Sequence, residues 1–182
     1  MRLFFDTRSQ LRSIPFGADR FLAVFEGIEG GFAISAGILA GLSFTDIDQR
    51  TLLSIAIISI IVNGFNASSV KYSSEHYLDE IDGVENKNPF HHYFIPAFFE
   101  FVAYIIVGLI SLIPIIIMGN IPYAIVYSCL ITLAILLLAG VWRAYLLGMP
   151  RIRDGLEVAG LGLAIILAGF LSGWFIHVVL QA

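Results

Sequence analysis

Residues 20–44 read RFLAVFEGIEGGFAISAGILAGLSF, an almost wholly apolar run that carries two carboxylates and several glycines in its first half. About 20 apolar residues are enough for a helix to cross the roughly 30 Å hydrocarbon core of a bilayer. The run is therefore predicted to be a membrane-spanning helix. The segment EGIEGG at residues 26–31 then needs an explanation, because a charge at the bilayer centre costs at least about 2.5 kcal/mol.

The composition of the whole chain also indicates a membrane protein. Of its 182 residues, 58% are hydrophobic and only 13% are charged, whereas a soluble domain carries about 25% charged residues. The chain is therefore predicted to lie in membrane lipid. Its net charge of −4 does not predict a basic surface that binds a nucleic acid. Apolar runs of spanning length recur along the chain. Five spans are predicted, near residues 21–44, 51–74, 93–118, 122–142 and 157–180.

These spans predict an all-α integral membrane protein with one five-helix domain at residues 21–182. Residues 1–20 are predicted to form an amphipathic segment on the membrane surface, and residues 75–92 form a short acidic segment between the second and third spans. All Lys and Arg residues except Arg50 fall on the side of the N-terminus. Because positive residues are enriched on the cytoplasmic side, the N-terminus is predicted to be cytoplasmic and the C-terminus outside.

The two acids of the first span lie on one helical face, since Glu26 and Glu29 are three residues apart. Small residues such as Gly37 continue that face and permit the close approach of another helix. The bulkier Phe32 and Leu39 lie mainly opposite and are expected to face lipid. Two acids on one face favour a site for a cation or for protons. The alternative is a pair of protonated acids that only hydrogen-bond to neighbouring helices.

Polar residues in two further spans are candidates to complete a cation site. Asn63 and Asn66 lie on one stripe of the second span, and their amide oxygens are hard, neutral ligands for a divalent cation. The alternative for both is a polar contact between helices. Glu100 is the only acid within the predicted third span. It belongs either to the cation pathway or to the packing, as a buried acid satisfied by a neighbour.

The acidic segment after the second span carries a further group of candidate metal ligands. If the helix continues, Glu75 with Asp79 and His76 with Glu80 are i, i+4 pairs. Carboxylate together with imidazole suits Fe or Mn better than Mg or Ca, and the histidines at 91–92 are placed to assist. The alternative is an ordinary solvated helix end.

With these motifs placed, the chain is similar to the vacuolar iron transporter (VIT) family. The stretch FEGIEGGFAISAGILAG at residues 25–41 resembles the first span of that family, with Glu26 in place of its aspartate. NP at 88–89 and GLISLIPIII at 108–117 resemble the start and end of its third span. The resemblance implies export of Fe²⁺, or of Mn²⁺, from the cytoplasm in exchange for protons. It also implies a homodimer whose first spans line the pathway at the two-fold axis. The metal is then a substrate, with no resident cofactor.

The chain departs from the family pattern in its second span. Many members carry a methionine where NGFNASSV stands at residues 63–70, and a family glutamate has its place near Ile60. The long acidic domain of plant-type members is also missing. No serine–histidine pair, H-E-x-x-H helix or phosphate-binding glycine loop is visible, so the protein is predicted not to be an enzyme. The alternative function is a small structural or assembly protein. The expected location is a prokaryotic cell membrane.

Overall fold

The computed structural model describes residues 17–83 and 88–181, so most of the predicted amphipathic segment lies outside the described residues. All the secondary structure described in these two ranges is helical. A π-helical turn at Phe90–Phe94 precedes the third long helix. The α-helices are α1 (Ala18–Leu42), α2 (Gln49–Ile81), α3 (Ile95–Ser111), α4 (Ile113–Ile117), α5 (Ile121–Leu147) and α6 (Arg151–Gln181).

Five helical stretches in the described part of the chain are long and apolar enough to cross a membrane. The prediction of an all-α membrane protein with five spans is therefore confirmed. The third stretch is composite, because the π-helical turn, α3 and α4 follow one another with a break at Leu112. Pro114 lies just beyond that break. Proline lacks a backbone N–H and its ring clashes with the carbonyl group one turn before it, which accounts for the interruption.

Several helices extend beyond the predicted spans, α2 and α6 furthest. The second span was predicted to end near residue 74, but α2 continues to Ile81, and its 33 residues give a length of about 50 Å at 1.5 Å per residue. Ion pairs one turn apart support the extension, such as the Lys71 Nζ to Glu75 Oε1 contact of 2.9 Å. The fifth span was predicted to begin near residue 157, but α6 begins at Arg151. The charged first turn of α6 lies close to α5, and this packing stabilises the turn as part of the helix.

The start of α2 is fixed by an N-terminal cap. The Asp48 carboxylate accepts a hydrogen bond from the Thr51 hydroxyl at 2.5 Å and from the backbone N–H groups of Arg50 and Thr51 at 3.0 and 3.3 Å. These bonds hold the pKa of the Asp48 carboxyl below its usual range, and the bond from the Thr51 hydroxyl has the largest effect. The cap satisfies backbone donors that have no partner within the helix.

Helix α1 lies at the centre of the bundle and packs against α2, α3, α5 and α6. Phe32 and Leu39, which were expected to face lipid, are 3% and 0% exposed and belong to the core. That expectation was wrong because an apolar side chain suits the inside of the bundle as well as the bilayer. One stripe of α1 stays partly open along its length, at Leu22, Glu26, Gly30, Ile34 and Ile38. We call this stripe the open face of α1.

The glycines of EGIEGG bring α3 against α1. A Cβ atom at Gly27 would meet the backbone carbonyl oxygen of Glu100, and one at Gly31 would meet that of Tyr104. Only glycine permits this approach between the two backbones. The glycines therefore place Glu100 of α3 beside the acidic part of α1.

A second glycine contact joins α1 to α6. A Cβ atom at Gly169 would meet the carbonyl oxygen of Gly37, and one at Gly173 would meet that of Gly41. These small residues of α1 thus pack against α6 of the same protomer.

Candidate functional site

The charged residues of the spans gather at one end of the bundle, where α1, α3 and α6 begin and α2 and α5 end. We call it the charged end. Glu26 of α1 is bound there by Lys71 of α2, with 2.5 Å between Nζ and Oε2. The same ammonium lies 2.9 Å from Oε1 of Glu75. The side chain of Lys71 is only 11% exposed, whereas that of Glu26 is 50% exposed on the open face of α1.

Glu29, one turn further along α1, is bound to a different cation. Its carboxylate contacts the guanidinium of Arg143 on α5. The same guanidinium donates two hydrogen bonds of 3.1 Å to Asp154 of α6, from Nε to Oδ2 and from the other amino nitrogen to Oδ1. Such a bidentate contact fixes both partners, and Arg stays charged in proteins. The group Glu29–Arg143–Asp154 therefore ties three helices together at the charged end.

Glu100 of α3 lies deeper and has an unsatisfied oxygen. The residue is 6% exposed, and its Oε2 atom has no hydrogen-bond partner within residues 17–83 and 88–181. The charged groups that act on it are those of Glu26, Lys71 and Glu75. The group contains three acids and one lysine, so full ionisation would give it two more negative than positive charges. We call Glu26, Lys71, Glu75 and Glu100 the lysine cluster.

The acidic segment after Lys71 does not act as one group. Asp79 accepts a hydrogen bond of 2.8 Å from the hydroxyl of Tyr93, and Nε2 of His92 lies 3.4 Å from the same Asp79 oxygen. His76 pairs instead with Glu80, with 3.8 Å between Nε2 and Oε1. The predicted quartet therefore lies on two adjoining faces of α2, and the ring of His76 is 5.1 Å from that of Tyr93.

One part of that segment opens into a small cavity at the charged end. The cavity has a volume of about 190 Å³ and is lined by Asp19, Glu75, Leu78, Asp79 and His92. Glu75 thus lies on the cavity and also contacts the ammonium of Lys71. The cavity and the lysine cluster are continuous through this one side chain.

The predicted asparagine ligands lie near the middle of α2. Asn63 is half-buried and donates a hydrogen bond of 2.9 Å to the carbonyl oxygen of Ser59 on its own helix, and Asn66 lies on an exposed part of α2. Among the residues that the structure describes, no three His, Cys, Asp or Glu side chains of one protomer are arranged to hold a metal ion.

Comparison with known families adds to this geometry. The model of the VIT family matches residues 66–174, which is more than half of the chain. This chain belongs to the VIT family. The family indicates a membrane metal-ion transporter, in agreement with the five membrane-crossing helices. The matched range begins within α2, so Glu26 and Glu29 lie outside it. No curated protein matches the sequence.

Three charged partners in this VIT-family chain were missed by sequence reasoning. Lys71, Arg143 and Asp154 all lie near the ends of apolar runs, where charged residues are ordinary, and the two basic residues were used only to predict the orientation. The signal that was available in the sequence is the length of a basic side chain. A basic residue about one to three turns inside a helix end can extend to an acid on a neighbouring helix at similar depth.

Proposed function

We propose that this VIT-family protein exports a divalent transition-metal cation, Fe²⁺ or Mn²⁺, from the cytoplasm in exchange for protons. The observation that carries the proposal is the position of Glu26, a membrane acid half exposed on the open face of α1. An acid in a span is costly unless it is paired or faces water, and such residues commonly mark ion pathways. Family membership supports the metal-ion substrate.

The two acids of EGIEGG have different roles in this proposal. Glu29 is held by Arg143, which is also fixed by two bonds to Asp154. A cation bound at Glu29 would disrupt that group and would lie beside a guanidinium that Asp154 holds in place, so the two positive charges would repel each other. Glu26 is held by one flexible lysine and is accessible, so Glu26 is the proposed cation ligand and Glu29 a structural anchor.

A second copy of the chain completes the proposed pathway. The open face of α1 is continuous with an apolar groove between α1 and α6, lined among others by Ile34, Ile38, Ala168 and Ile176. A homodimer packed along this surface would bring two copies of Glu26 face to face. Two carboxylates from two protomers are a suitable ligand set for a divalent cation, and oxygens of Asn63 and Asn66 are further candidates.

The cavity beside Glu75 and Asp79 is the proposed entry from the cytoplasm. It carries three carboxylates and the imidazole of His92. Carboxylates with imidazole suit Fe or Mn, and a negative vestibule concentrates cations near the membrane. His76 and Glu80 form a separate pair at the same end and are proposed as outer collecting residues. The expected location remains the cell membrane of a prokaryote.

Transport by the purified wild-type protein tests this proposal. Proteoliposomes and protein-free vesicles would be supplied in turn with Fe²⁺, Mn²⁺, Co²⁺, Zn²⁺ and Mg²⁺, and cation uptake would be followed by a trapped indicator. We expect saturable uptake of Fe²⁺ or Mn²⁺ and none of Mg²⁺. Uptake equal to that of protein-free vesicles for every cation would instead favour the structural or assembly role.

A further inference from the structure

The ammonium of Lys71 occupies the position where a cation would bind Glu26. Its Nζ atom lies 2.5 Å from Oε2 of Glu26 on α1 and 2.9 Å from Oε1 of Glu75 on its own helix. The lysine side chain is 11% exposed and that of Glu26 is 50% exposed, so the ammonium is shielded while the carboxylate stays accessible. The Glu26 carboxylate is thus already neutralised by a positive charge that the protein itself carries.

A metal ion and this ammonium compete for Glu26. Both require the carboxylate oxygens, and two positive charges a few ångströms apart repel each other strongly where water is scarce. A divalent cation that binds Glu26 must therefore displace Lys71. The two basic residues of the site differ in this respect, because Arg143 is held by two further hydrogen bonds to Asp154 whereas Lys71 moves on a flexible stem.

We propose that Lys71 is a tethered cation that occupies Glu26 between transport events and is displaced towards Glu75 by the arriving metal ion. The inference rests on the proposed role of Glu26 as the cation ligand. Glu75 lies one turn further along the same helix and keeps its contact with the ammonium when the Glu26 contact breaks.

The surroundings of Lys71 support this displacement. The Oε2 atom of Glu100, unpaired among the described residues, lies in a side chain that is 94% buried, since the residue is 6% exposed. Lys71 is one of the charges that act on it. A displaced ammonium keeps its contact with Glu75 and is therefore not left unpaired inside the bundle, which would be costly.

Competition of this kind has a use in transport. A transported ion must bind well enough to enter and weakly enough to leave. A tethered ammonium weakens metal binding and restores a neutral pair after the metal departs. It also favours divalent over monovalent cations, because a single charge gains little by replacing another.

Binding of Mn²⁺ to the purified protein tests the inference without requiring transport. Free Mn²⁺ would be measured by electron paramagnetic resonance in titrations of the wild type and of Lys71→Gln, Lys71→Arg and Glu26→Gln. We expect Lys71→Gln to bind Mn²⁺ at least about tenfold more tightly, since a charge a few ångströms from the metal is removed. Lys71→Arg keeps the cation and should bind Mn²⁺ no more tightly than the wild type. Arg50→Gln, at the opposite end of the bundle, is the matched control for net charge and should bind as the wild type does.

The outcomes separate the inference from the function on which it rests. Mn²⁺ binding that depends on Glu26 but is unchanged or weaker in Lys71→Gln overturns the role of Lys71 alone. Absence of Glu26-dependent binding in both the wild type and Lys71→Gln overturns Glu26 as the ligand, and the inference with it. A tighter Lys71→Gln site that is lost in the double variant with Glu26→Gln supports both.

A second measurement covers the case in which Lys71→Gln does not fold. The sequence contains two lysines, Lys71 and Lys87, so reductive ¹³C-methylation of the wild-type protein gives two lysine signals that Lys87→Arg assigns. Saturation with diamagnetic Zn²⁺ should shift the Lys71 signal, leave that of Lys87 in place, and have no effect in Glu26→Gln. A Lys71 signal that does not move while Zn²⁺ is bound at Glu26 contradicts the inference.

Discussion

At the scale of single residues, two acids one turn apart meet cations of different kinds. Glu26 is bound by a lysine and stays half exposed, whereas Glu29 is bound by an arginine that also holds Asp154. A lysine ammonium is a point charge on a flexible stem, and a guanidinium is a planar fork that fixes its partners. The first arrangement suits a site that changes its occupant, and the second suits a permanent link between helices.

Loss of Arg143 should therefore destabilise the protein. Arg143→Gln leaves Glu29 and the largely buried Asp154 without their cation, and removal of one partner from a buried ion pair costs about 3–5 kcal/mol. We expect a clearly lower melting temperature in detergent. Arg153→Gln is the matched control, because it removes an exposed arginine from the first turn of α6. Equal melting temperatures for the two variants would show that the group Glu29–Arg143–Asp154 does not stabilise the fold.

Sequence reasoning identified both acids as important but did not find their partners. The cost of a charge in a span is a property of the residue itself, so Glu26, Glu29 and Glu100 could be recognised without a structure. Which cation each acid meets depends on how far α2 and α5 extend and on their rotation. Hydropathy specifies neither the length nor the rotation of these helices. In the sequence, Lys71 and Arg143 look like ordinary interfacial residues.

At the scale of helices, the glycines determine which neighbours approach α1. Gly27 and Gly31 admit the backbone of α3, and Gly37 and Gly41 admit that of α6. The five spans could be predicted because the length of an apolar run reflects the bilayer thickness. The helix that packs against a small-residue face could not be predicted, since such a face fits a helix of the same protomer as well as one from a second copy.

The contact between α1 and α6 predicts a position-specific effect of alanine. Gly169→Ala places a Cβ atom against the carbonyl oxygen of Gly37, and overpacking of this kind typically costs about 1–3 kcal/mol. Gly160→Ala lies on the same helix with no neighbouring atom within 4 Å, so it should be neutral or slightly stabilising because alanine favours the helix. Thermal unfolding of both variants in one detergent checks this. A neutral Gly169→Ala would mean that the two helices are further apart.

At the scale of the whole molecule, the open face of α1 is the surface on which the proposed homodimer depends. Most of α1 is enclosed by its own protomer, yet the stripe from Leu22 to Ile38 and the adjoining groove stay accessible. Apolar residues of α2 and α6 are exposed to lipid in large numbers and give no comparable indication of a partner. The acid Glu26 on the α1 stripe is what distinguishes this surface from the rest.

Disulfide cross-linking tests the dimer surface. The chain has a single cysteine, Cys129, so a Cys129→Ser background allows one new cysteine at a time. Oxidation of Ile34→Cys in native membranes should yield a covalent dimer. Ile58→Cys, on a strongly exposed part of α2, should stay monomeric. Equal yields from the two positions, or a dimer from Ile58→Cys alone, would place the contact elsewhere.

Paired flux through Glu26→Gln protein tests the central claim most directly. Proteoliposomes with an Mn²⁺ indicator inside and a pH indicator outside would compare the wild type, Glu26→Gln and the exposed control Asp82→Asn. The amide keeps the shape of the side chain but not its charge. We predict coupled metal and proton flux for the wild type and the control, and neither flux for a folded Glu26→Gln protein. Undiminished metal flux with proton counterflow in Glu26→Gln would contradict the role of Glu26 as the residue that binds the transported cation.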